Sequence, residues 1–457
     1  MGIMIRTLRR IFLAMVFVFL IMGAANAHRF RTFASKVSVP VSHASVIYVP
    51  GNYSSIQAAV NNASNGDTIY VASGVYYENV VVDKTVKIFG ENSTNTIVRG
   101  VAGNFTPTID VRANYVEISG ITARNGLSGI FVNRSDSCYI HGNILTANAW
   151  NCGIGLEHSN NNTITDNTAV DNGVPGDLGG GGGIGLSAST NNTISRNFIR
   201  KTVMDGIVLL GSGRNTIINN TINETYGGIF LASSSNQNLV RGNMVKNSGN
   251  GVASAYSWNN TVENNWIANV GVGIPVGYSH MNVIRGNTVV NATVGIDVSD
   301  NSPGNLVVGN TVSKSTVGIN IIGSSGSVFY HNSFINNTNN HPYDAQYPSI
   351  NSWNNSFGEG NYWSNYTGTD ADGDGIGDTP HTLYPNNIDY YPLMKPYVPG
   401  DFNHDGMVNM TDADIVQAAW LARQGELHYN PHADYNMDGV INIRDVTPIA
   451  LNWQKHV

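Results

Sequence analysis

The sequence predicts an all-β fold, a right-handed parallel β-helix or solenoid, with a small α-helical domain at the C-terminus. Three observations carry this. One Asn recurs at Asn143, Asn167, Asn197, Asn220, Asn243, Asn265, Asn287, Asn310 and Asn332, mostly in steps of 22 or 23 residues. A Gly followed by Ile or Val runs in the same phase, at Gly129, Gly153, Gly183, Gly206, Gly228, Gly251, Gly273, Gly295 and Gly318. Near the end of the chain, a loop of regularly spaced Asp and Asn residues occurs twice, 33 residues apart, each time followed by a helical pattern.

At the N-terminus, Arg6, Arg9 and Arg10 precede an apolar run from Ile11 to Met22, and Ala25-Asn26-Ala27 is a small-x-small cleavage site. That order reads as a signal peptide over 1–27, with the mature chain beginning near His28 and a linker over 28–45. The apolar run is too short for a comfortable membrane span, and no second one follows. The expectation is therefore an exported protein, secreted or at the cell surface, with no membrane span after cleavage. Sequons at Asn52, Asn92, Asn104, Asn223 and Asn365 would make it a glycoprotein wherever the host glycosylates.

Only 12% of the residues are charged and 50 are Gly, where a typical globular domain carries about 25% charge. Such a chain is a poor helix former. A net charge of -7 without basic clusters argues against nucleic acid and against an anionic membrane surface. Neutral polymers and proteins are the partners that remain. Cys138 and Cys152 could pair in an exported protein or serve as two small buried side chains, and the sequence leaves both open.

Residues 46–395 carry the solenoid. Ser55-Ile-Gln-Ala-Ala-Val60 reads as a short helix capping the first sheet edge. Each following period holds two or three strand-length segments with period-2 alternation, separated by Asn/Gly turns and with no helical pattern between them. With no room for crossover helices, such a unit must stack coil on coil at about 4.8 Å. Ile130, Ile154, Ile184, Ile207, Ile229, Ile274, Ile296 and Ile319 should then form one buried column. The recurrent Asn should form a ladder, each amide donating to one neighbour and accepting from the other. Gly at the turns should supply positive φ.

Dense polar chemistry falls on one stretch of coils, around Glu157, His158, Asp166, Asp171, Asp177, Arg200, Lys201 and Asp205. The same stretch holds an irregular insertion, from Gly173 to Gly183, that lengthens one step to 30 residues. Insertions in solenoids form loops, commonly on a binding face. A Lys beside carboxylates suits proton abstraction, and paired carboxylates suit glycoside hydrolysis. The candidate catalytic residues are thus Glu157, Asp177, Lys201 and Asp205, with a merely solvated face as the alternative. Trp150, Tyr226, Tyr256 and Trp258 are either sugar-stacking platforms or turn braces.

Beyond the coils, Asp370, Asp372, Asp374 and Asp378 sit at positions 1, 3, 5 and 9 of a Gly-rich loop, the spacing of a calcium loop. Pro396 and Pro399 then forbid a helix, which makes 396–400 a linker. In the first terminal loop the donors are Asp401, Asn403, Asp405, Asn409 and Asp412, with the Met407 carbonyl at position 7. In the second they are Asp434, Asn436, Asp438, Asn442 and Asp445, with the Val440 carbonyl. Gly406 and Gly439 make the sharp turns. Six or seven oxygens at about 2.3–2.6 Å are what Ca2+ requires, so calcium is the expected cofactor.

The duplicated loop-helix unit, its Asp at position 12 and its C-terminal place closely resemble a dockerin module over 401–457. The resemblance implies a cohesin-domain protein as partner. It also implies that loop positions 10 and 11, with residues one turn into each helix, read that partner. These are Met410, Thr411, Gln417 and Ala418 in the first copy, and Ile443, Arg444, Ala450 and Leu451 in the second. The ligands repeat while the reading residues do not, which favours one docking orientation over two.

The segments Gly66-Asp-Thr-Ile-Tyr-Val71 and Gly74-Val-Tyr-Tyr-Glu-Asn-Val80 resemble the first coils of pectin-esterase and pectate-lyase β-helices. The repeats and their ending at Asn361-Tyr-Trp-Ser-Asn-Tyr366 and Asp389-Tyr-Tyr-Pro-Leu393 resemble the NosD-like and carbohydrate-binding/sugar-hydrolysis group of right-handed β-helix proteins. That group spans lyases, hydrolases, epimerases and surface proteins without known chemistry, so the fold alone does not choose. Two readings stand. One is a polysaccharide lyase or glycoside hydrolase plugged into a cohesin-bearing assembly; the other is a non-catalytic carbohydrate-binding or adhesion module. No lyase, polygalacturonase or epimerase signature appears in order. A NosD-like part in copper-site maturation would call for clustered His, Met or Cys, whereas His141, His158, His280 and His331 are scattered over the coils.

Overall fold

The computed structural model describes residues 44–101, 106–149, 152–173, 182–340, 349–384, 386–435 and 438–456. The expected signal peptide, most of the N-terminal linker, Asn104, Trp150, Asp177 and Asn436 lie outside the described residues.

Three stacks of short parallel strands form the solenoid. The first holds 13 strands, from Val46–Val49 to Val328–Tyr330. The other two carry strands such as Thr168–Val170 and Ile154–Glu157. They merge into one 22-stranded sheet because Trp266–Gly277 and Thr288–Ser299 run unbroken through the corner between them. Register is in phase throughout, Ile154 opposite Ile130 and Ile184, and Ile207 opposite Ile184 and Ile229. The predicted Ile column is formed, each member at most 1% exposed. Comparable columns line the other two stacks, for example Ile164, Ile194 and Ile217 in the first. Alternation works here because residues i and i+2 share a face.

The Asn ladder is also formed, and it satisfies more than side chains. Asn167 Nδ2 donates to Asn197 Oδ1 at 3.1 Å and to the Ile140 carbonyl at 2.9 Å, while Asn197 Oδ1 also accepts the Asn167 backbone N–H at 3.0 Å. Each buried amide thereby joins three coils and leaves no polar group unmet. The ladder runs on to Asn361 and ends on the Asp389 carboxylate. A second ladder, Asn162, Asn192, Asn215, Asn238, Asn260, Asn282 and Asn305, runs at another corner, each backbone N–H donating to the next Asn Oδ1 or, at Asn305, to Ser327 Oγ, though Asn260 Nδ2 finds no partner among the described residues. A Ser ladder from Ser135 to Ser324 accompanies it.

The phase-marking glycines correct an expectation. They do not supply positive φ; the turn residue before each ladder Asn does, and there the expectation holds at Gly142, Gly242, Gly286 and Gly309, while Asp166, Arg196, Asn219, Asn264 and His331 take the same conformation without being Gly. The glycines are required by close approach instead. A Cβ on Gly251 would lie 2.3 Å from the Gly273 carbonyl oxygen, and one on Gly273 would lie 2.2 Å from that of Gly295.

Helix α1 (Ile56–Asn62) covers the first coil, burying Ile56, Ala59 and Val60. Ser55 caps it, and Glu78 accepts the Ile56 and Gln57 backbone N–H groups at 2.9 Å each. Cys138 and Cys152 are buried thiols, and no disulfide joins them. At the far end, Phe329, Phe334, Trp353 and Trp363 stack as an aromatic plug. A separate small core of Val398, Val408, Val416, Ile441, Val446 and Ile449 holds the C-terminal domain together. That domain carries helices α2 (Met410–Ala418) and α3 (Ile443–Asn452).

Candidate functional site

In the C-terminal domain both loops close on their helices in the same way. Asn409 and Asn442 are the N-caps of α2 and α3, and the third helical residues, Asp412 and Asp445, reach back to the cap backbone N–H at 2.8 Å. This reciprocal capping fixes loop positions 9 and 12 together. Position 1 is fixed by the turn. Asp401 accepts from the Asp405 and Gly406 N–H groups at 3.1 and 2.9 Å, and Asp434 from Asp438 and Gly439 at 3.2 and 2.8 Å. Met407 and Val440 sit at position 7, where a short bridge pairs each with another segment, His456 and Arg423 respectively.

The donor set fits calcium. Asp401, Asp412, Asp434 and Asp445 are each at most 4% exposed. Burial, with Asp412 and Asp405 nearby, pushes the Asp401 carboxyl up to about 6, and burial raises Asp412 as well. Carboxylates crowded in a site of low dielectric call for a cation between them. By position, Asn403, Asp405 and Asn409 are the remaining side-chain donors of the first loop, and Asp438 and Asn442 the remaining described ones of the second. In the acidic loop of the β-helix, the carboxylates of Asp370, Asp372 and Asp374 lie within 4.8 Å of one another. Asp370 accepts from Gly373 and Gly375, and Asp378 from the Ala371 N–H at 2.6 Å, which ties position 9 back to the loop's start.

The residues expected to read a partner mostly face solvent. Thr411, Gln417, Ala418, Ile443, Arg444 and Leu451 are exposed, with Met410 and Ala450 half-buried. Thr411 and Ala418 line an open groove of about 460 Å³ with Ile415 and His428.

On the coils, Asp177 lies outside the described residues, and among the described ones no contact joins Glu157, Lys201 and Asp205. Glu157 ends its strand, half exposed, with His158 Nδ1 at 3.7 Å. It pairs in register with Ser187, and Ser187 with Leu210. Asp205 lies before the strand Ile207–Leu210, whose own length is about 10 Å, and that strand is two coils on from Glu157 at about 4.8 Å per coil. Paired glycosidase carboxylates stand roughly 5–9.5 Å apart. Lys201 is exposed at the corner after Phe198–Arg200, in the field of Glu224, whose carboxylate Arg200 holds at 3.0 Å. Asp166 forms a two-pronged pair with Arg196 at 2.7 and 2.8 Å. Asp205 stands apart: burial raises its carboxyl to about 6, and it lies against Gly227, where a Cβ would meet Oδ1 at 2.0 Å. The aromatics turn toward one another. Tyr256 stacks on Tyr278 at 4.8 Å and Trp258 on His280 at 5.4 Å, while Tyr226 remains exposed.

Copper finds no convergent ligand set on the coils among the described residues. Burial raises the Cys138 and Cys152 thiols to about 11 and about 12, so neither is a thiolate at neutral pH. His141 pairs with Glu117 and His280 with Trp258, far from each other in the stack. His331 behaves differently. It leaves the last coil to share Glu359 with His404 and His432 of the C-terminal domain, a grouping that sequence reading missed because its members are up to 101 residues apart.

Comparison with known proteins agrees with this architecture. Residues 60–247 and 202–368 match the NosD family, described as periplasmic copper-binding protein, and residues 399–450 match the dockerin type I domain. The chain therefore belongs to the NosD family and carries a C-terminal dockerin module. No curated protein sequence matches it. Among solved structures, it is similar to the A-module of Azotobacter vinelandii mannuronan C-5 epimerase AlgE6, with 16% identity and a TM-score of 0.55, over 65% of this chain and 93% of that one. It is similar to a Yersinia enterocolitica family 28 exopolygalacturonase, with 12% identity and a TM-score of 0.51, over 68% and 78%. It is also similar to the tailspike of E. coli bacteriophage HK620 in complex with a pentasaccharide, with 13% identity and a TM-score of 0.50, over 61% and 62%. At these identities the likeness is one of fold.

Proposed function

We propose that this NosD-family chain is an exported, polysaccharide-directed β-helix that docks through its calcium-loaded dockerin onto a cohesin-bearing protein. The observation that carries the reading is the pair of identically capped loops, which present Thr411, Ile443 and Arg444 to solvent at positions 10 and 11 and leave Met410 half-buried. Calcium at Asp401–Asp412 and Asp434–Asp445 would neutralise their carboxylates and fix the first turns of α2 and α3, and with them the surface a cohesin meets. The unlike pairs Met410-Thr411 and Ile443-Arg444 favour one orientation of binding. No helix among the described residues is long and apolar enough to cross a membrane.

For the cargo, the geometry supports binding of polysaccharide ahead of its cleavage, because Glu157, Lys201 and Asp205 do not converge. Glu157, Asp177, Lys201 and Asp205 remain the candidates if chemistry occurs, with Asp205, near pKa 6, suited to carry a proton. Copper-site maturation is the weaker reading, since the coils lack a ligand set for it.

Calorimetry of the full chain against a panel of cohesin domains tests the docking. One-to-one binding in calcium, abolished by a chelator, is expected; binding that survives chelation, or no binding to any cohesin, counts against it. The same protein is then offered acidic and neutral polysaccharides. Retention without sugar release supports a binding module, whereas release lost in the Glu157→Ala, Lys201→Ala or Asp205→Asn variants would establish an enzyme.

A further inference from the structure

The β-helix and the dockerin meet on one carboxylate. Glu359, whose side chain is 6% exposed, takes His331 Nε2 at 2.9 Å on Oε2, and on Oε1 takes His404 Nε2 at 3.1 Å and His432 Nδ1 at 2.5 Å. Asn355 Nδ2 adds a fourth contact, to Oε2 at 2.6 Å. The ligand atoms of Glu359, His404 and His432 all lie within 4.8 Å of one another. His331 and His404 are buried to the same degree, while the His432 side chain keeps 35% of its exposure.

These groups arrive by separate routes. His331 follows the last strand of the first stack in the left-handed region, φ 56°, and its ring stacks on Tyr397 at 4.1 Å. His404 is position 4 of the first calcium loop, also left-handed, and His432 lies in the short 3-10 turn Pro431–Ala433 before the second. One carboxylate needs a single cation to balance it. Three imidazoles converging on it form a donor set richer than an ion pair requires.

We propose that Glu359, His404 and His432 form a site for one divalent first-row transition-metal ion of the zinc type, which fastens the dockerin to the β-helix. One carboxylate oxygen and two imidazole nitrogens suit zinc at about 2.0–2.2 Å, and tetrahedral donors around such an ion stand roughly 3.4 Å apart. Opening the contacts to Oε1 by less than about 1 Å reaches that spacing. His331 and Asn355 are positioning residues that hold Glu359 by its other oxygen. The fourth ligand position faces solvent on the His432 side. Calcium, a hard ion that takes oxygen donors, is drawn to the neighbouring loops and not to imidazoles, so the two kinds of site stay distinct.

The test uses the untagged full chain, stripped of metal and then saturated with calcium. Titration with Zn2+ by calorimetry should show one equivalent per chain, and Co2+ should give the visible absorption of a four-coordinate nitrogen and oxygen site. Glu359→Gln and His432→Ala should each weaken Zn2+ by about 100-fold, and His331→Ala by about tenfold. Calcium content and the β-sheet circular dichroism should stay unchanged, which shows that the variants fold. Zn2+ uptake that is absent, or equal in wild type and in the folded His432→Ala variant, overturns the site. Uptake of Cu2+ with none of Zn2+ overturns the assignment of the ion.

Discussion

Asp389 shows how much one residue can hold at the end of a solenoid. It is fully buried, and its carboxylate accepts from the Asn361 N–H at 2.8 Å, Trp363 Nε1 at 2.9 Å and the Tyr391 N–H at 3.2 Å. Burial outweighs these donors and pushes its pKa up to about 6. The unfolded chain releases this proton near 3.9, so between about 4 and 6 the folded state binds more protons. Stability through this group is therefore greatest below about pH 4 and falls as pH rises to about 6, by on the order of 2–3 kcal/mol. Urea unfolding of wild type and of the Asp389→Asn variant at pH 4 and pH 7 checks this. Wild type should lose that amount relative to the variant between the two pH values, and a pH-independent difference would contradict it. The Asn ladder that Asp389 ends was legible because its members recur in phase. The second ladder was equally written in the chain, five residues ahead of the first at Asn162 and Asn167, Asn192 and Asn197, Asn215 and Asn220. It was missed because Asn also marks turns, and a turn residue and a ladder residue look alike until the register is known.

Among elements, the corner that opens each strand of the Ile column sets the tightest limit. The period and the β-helix followed from the sequence because the Gly-Ile pairs and the Asn share one phase, but the reason for the Gly did not. Sequence supplies the preference for small residues, while the close approach of successive backbones appears only when coils are stacked. In Gly251→Ala the new methyl would meet the Gly273 carbonyl oxygen at 2.3 Å and Ile267 Cγ2 at 2.6 Å. Neither is the free end of a flexible side chain, so the coil must shift, at a cost of about 1–3 kcal/mol or more. Gly304, in the left-handed region at φ 68° with nothing within 4 Å, tests conformation without crowding, and Gly304→Ala should cost only about 1 kcal/mol. Denaturant midpoints of the two variants compare them directly, and equal losses would mean that close approach is not what fixes the column. In the dockerin the elements were legible for the opposite reason. Calcium spacing and helix capping use the same Asn and Asp, so the residues read as ligands at positions 9 and 12 are also the N-caps and third helical residues of α2 and α3.

At the scale of the whole molecule, the segment 396–400 decides how a docked partner would see the β-helix. Two prolines and a glycine read as a linker, which would let the dockerin swing. The structure instead anchors this segment at both ends. The Tyr397 N–H donates to Ser333 Oγ at 2.9 Å and its ring lies on His331, while Val398 enters the dockerin core at 1% exposure. A Cβ on Gly400 would strike the Ile449 N at 2.7 Å, so even the last linker residue is packed. Lys395 Nζ donates to the Asp405 carbonyl, and Glu359 receives His404 and His432 from across the junction. None of this was readable beforehand, because every contact joins residues that sequence places in different domains. These contacts need no transition metal, so the junction should be rigid in calcium alone. Limited proteolysis should leave 396–400 intact in wild type. In the double variant Glu359→Ala and Tyr397→Ala, loss of the shared carboxylate and of the stacked ring should expose the segment, so that cleavage there becomes fast while the coils and the calcium-loaded dockerin remain whole. Scattering should register the same change as a larger radius of gyration. A wild-type chain cut at 396–400 as readily as the variant would show that the dockerin is hinged, and the orientation it imposes on its partner would then be set by the cohesin instead of by this junction.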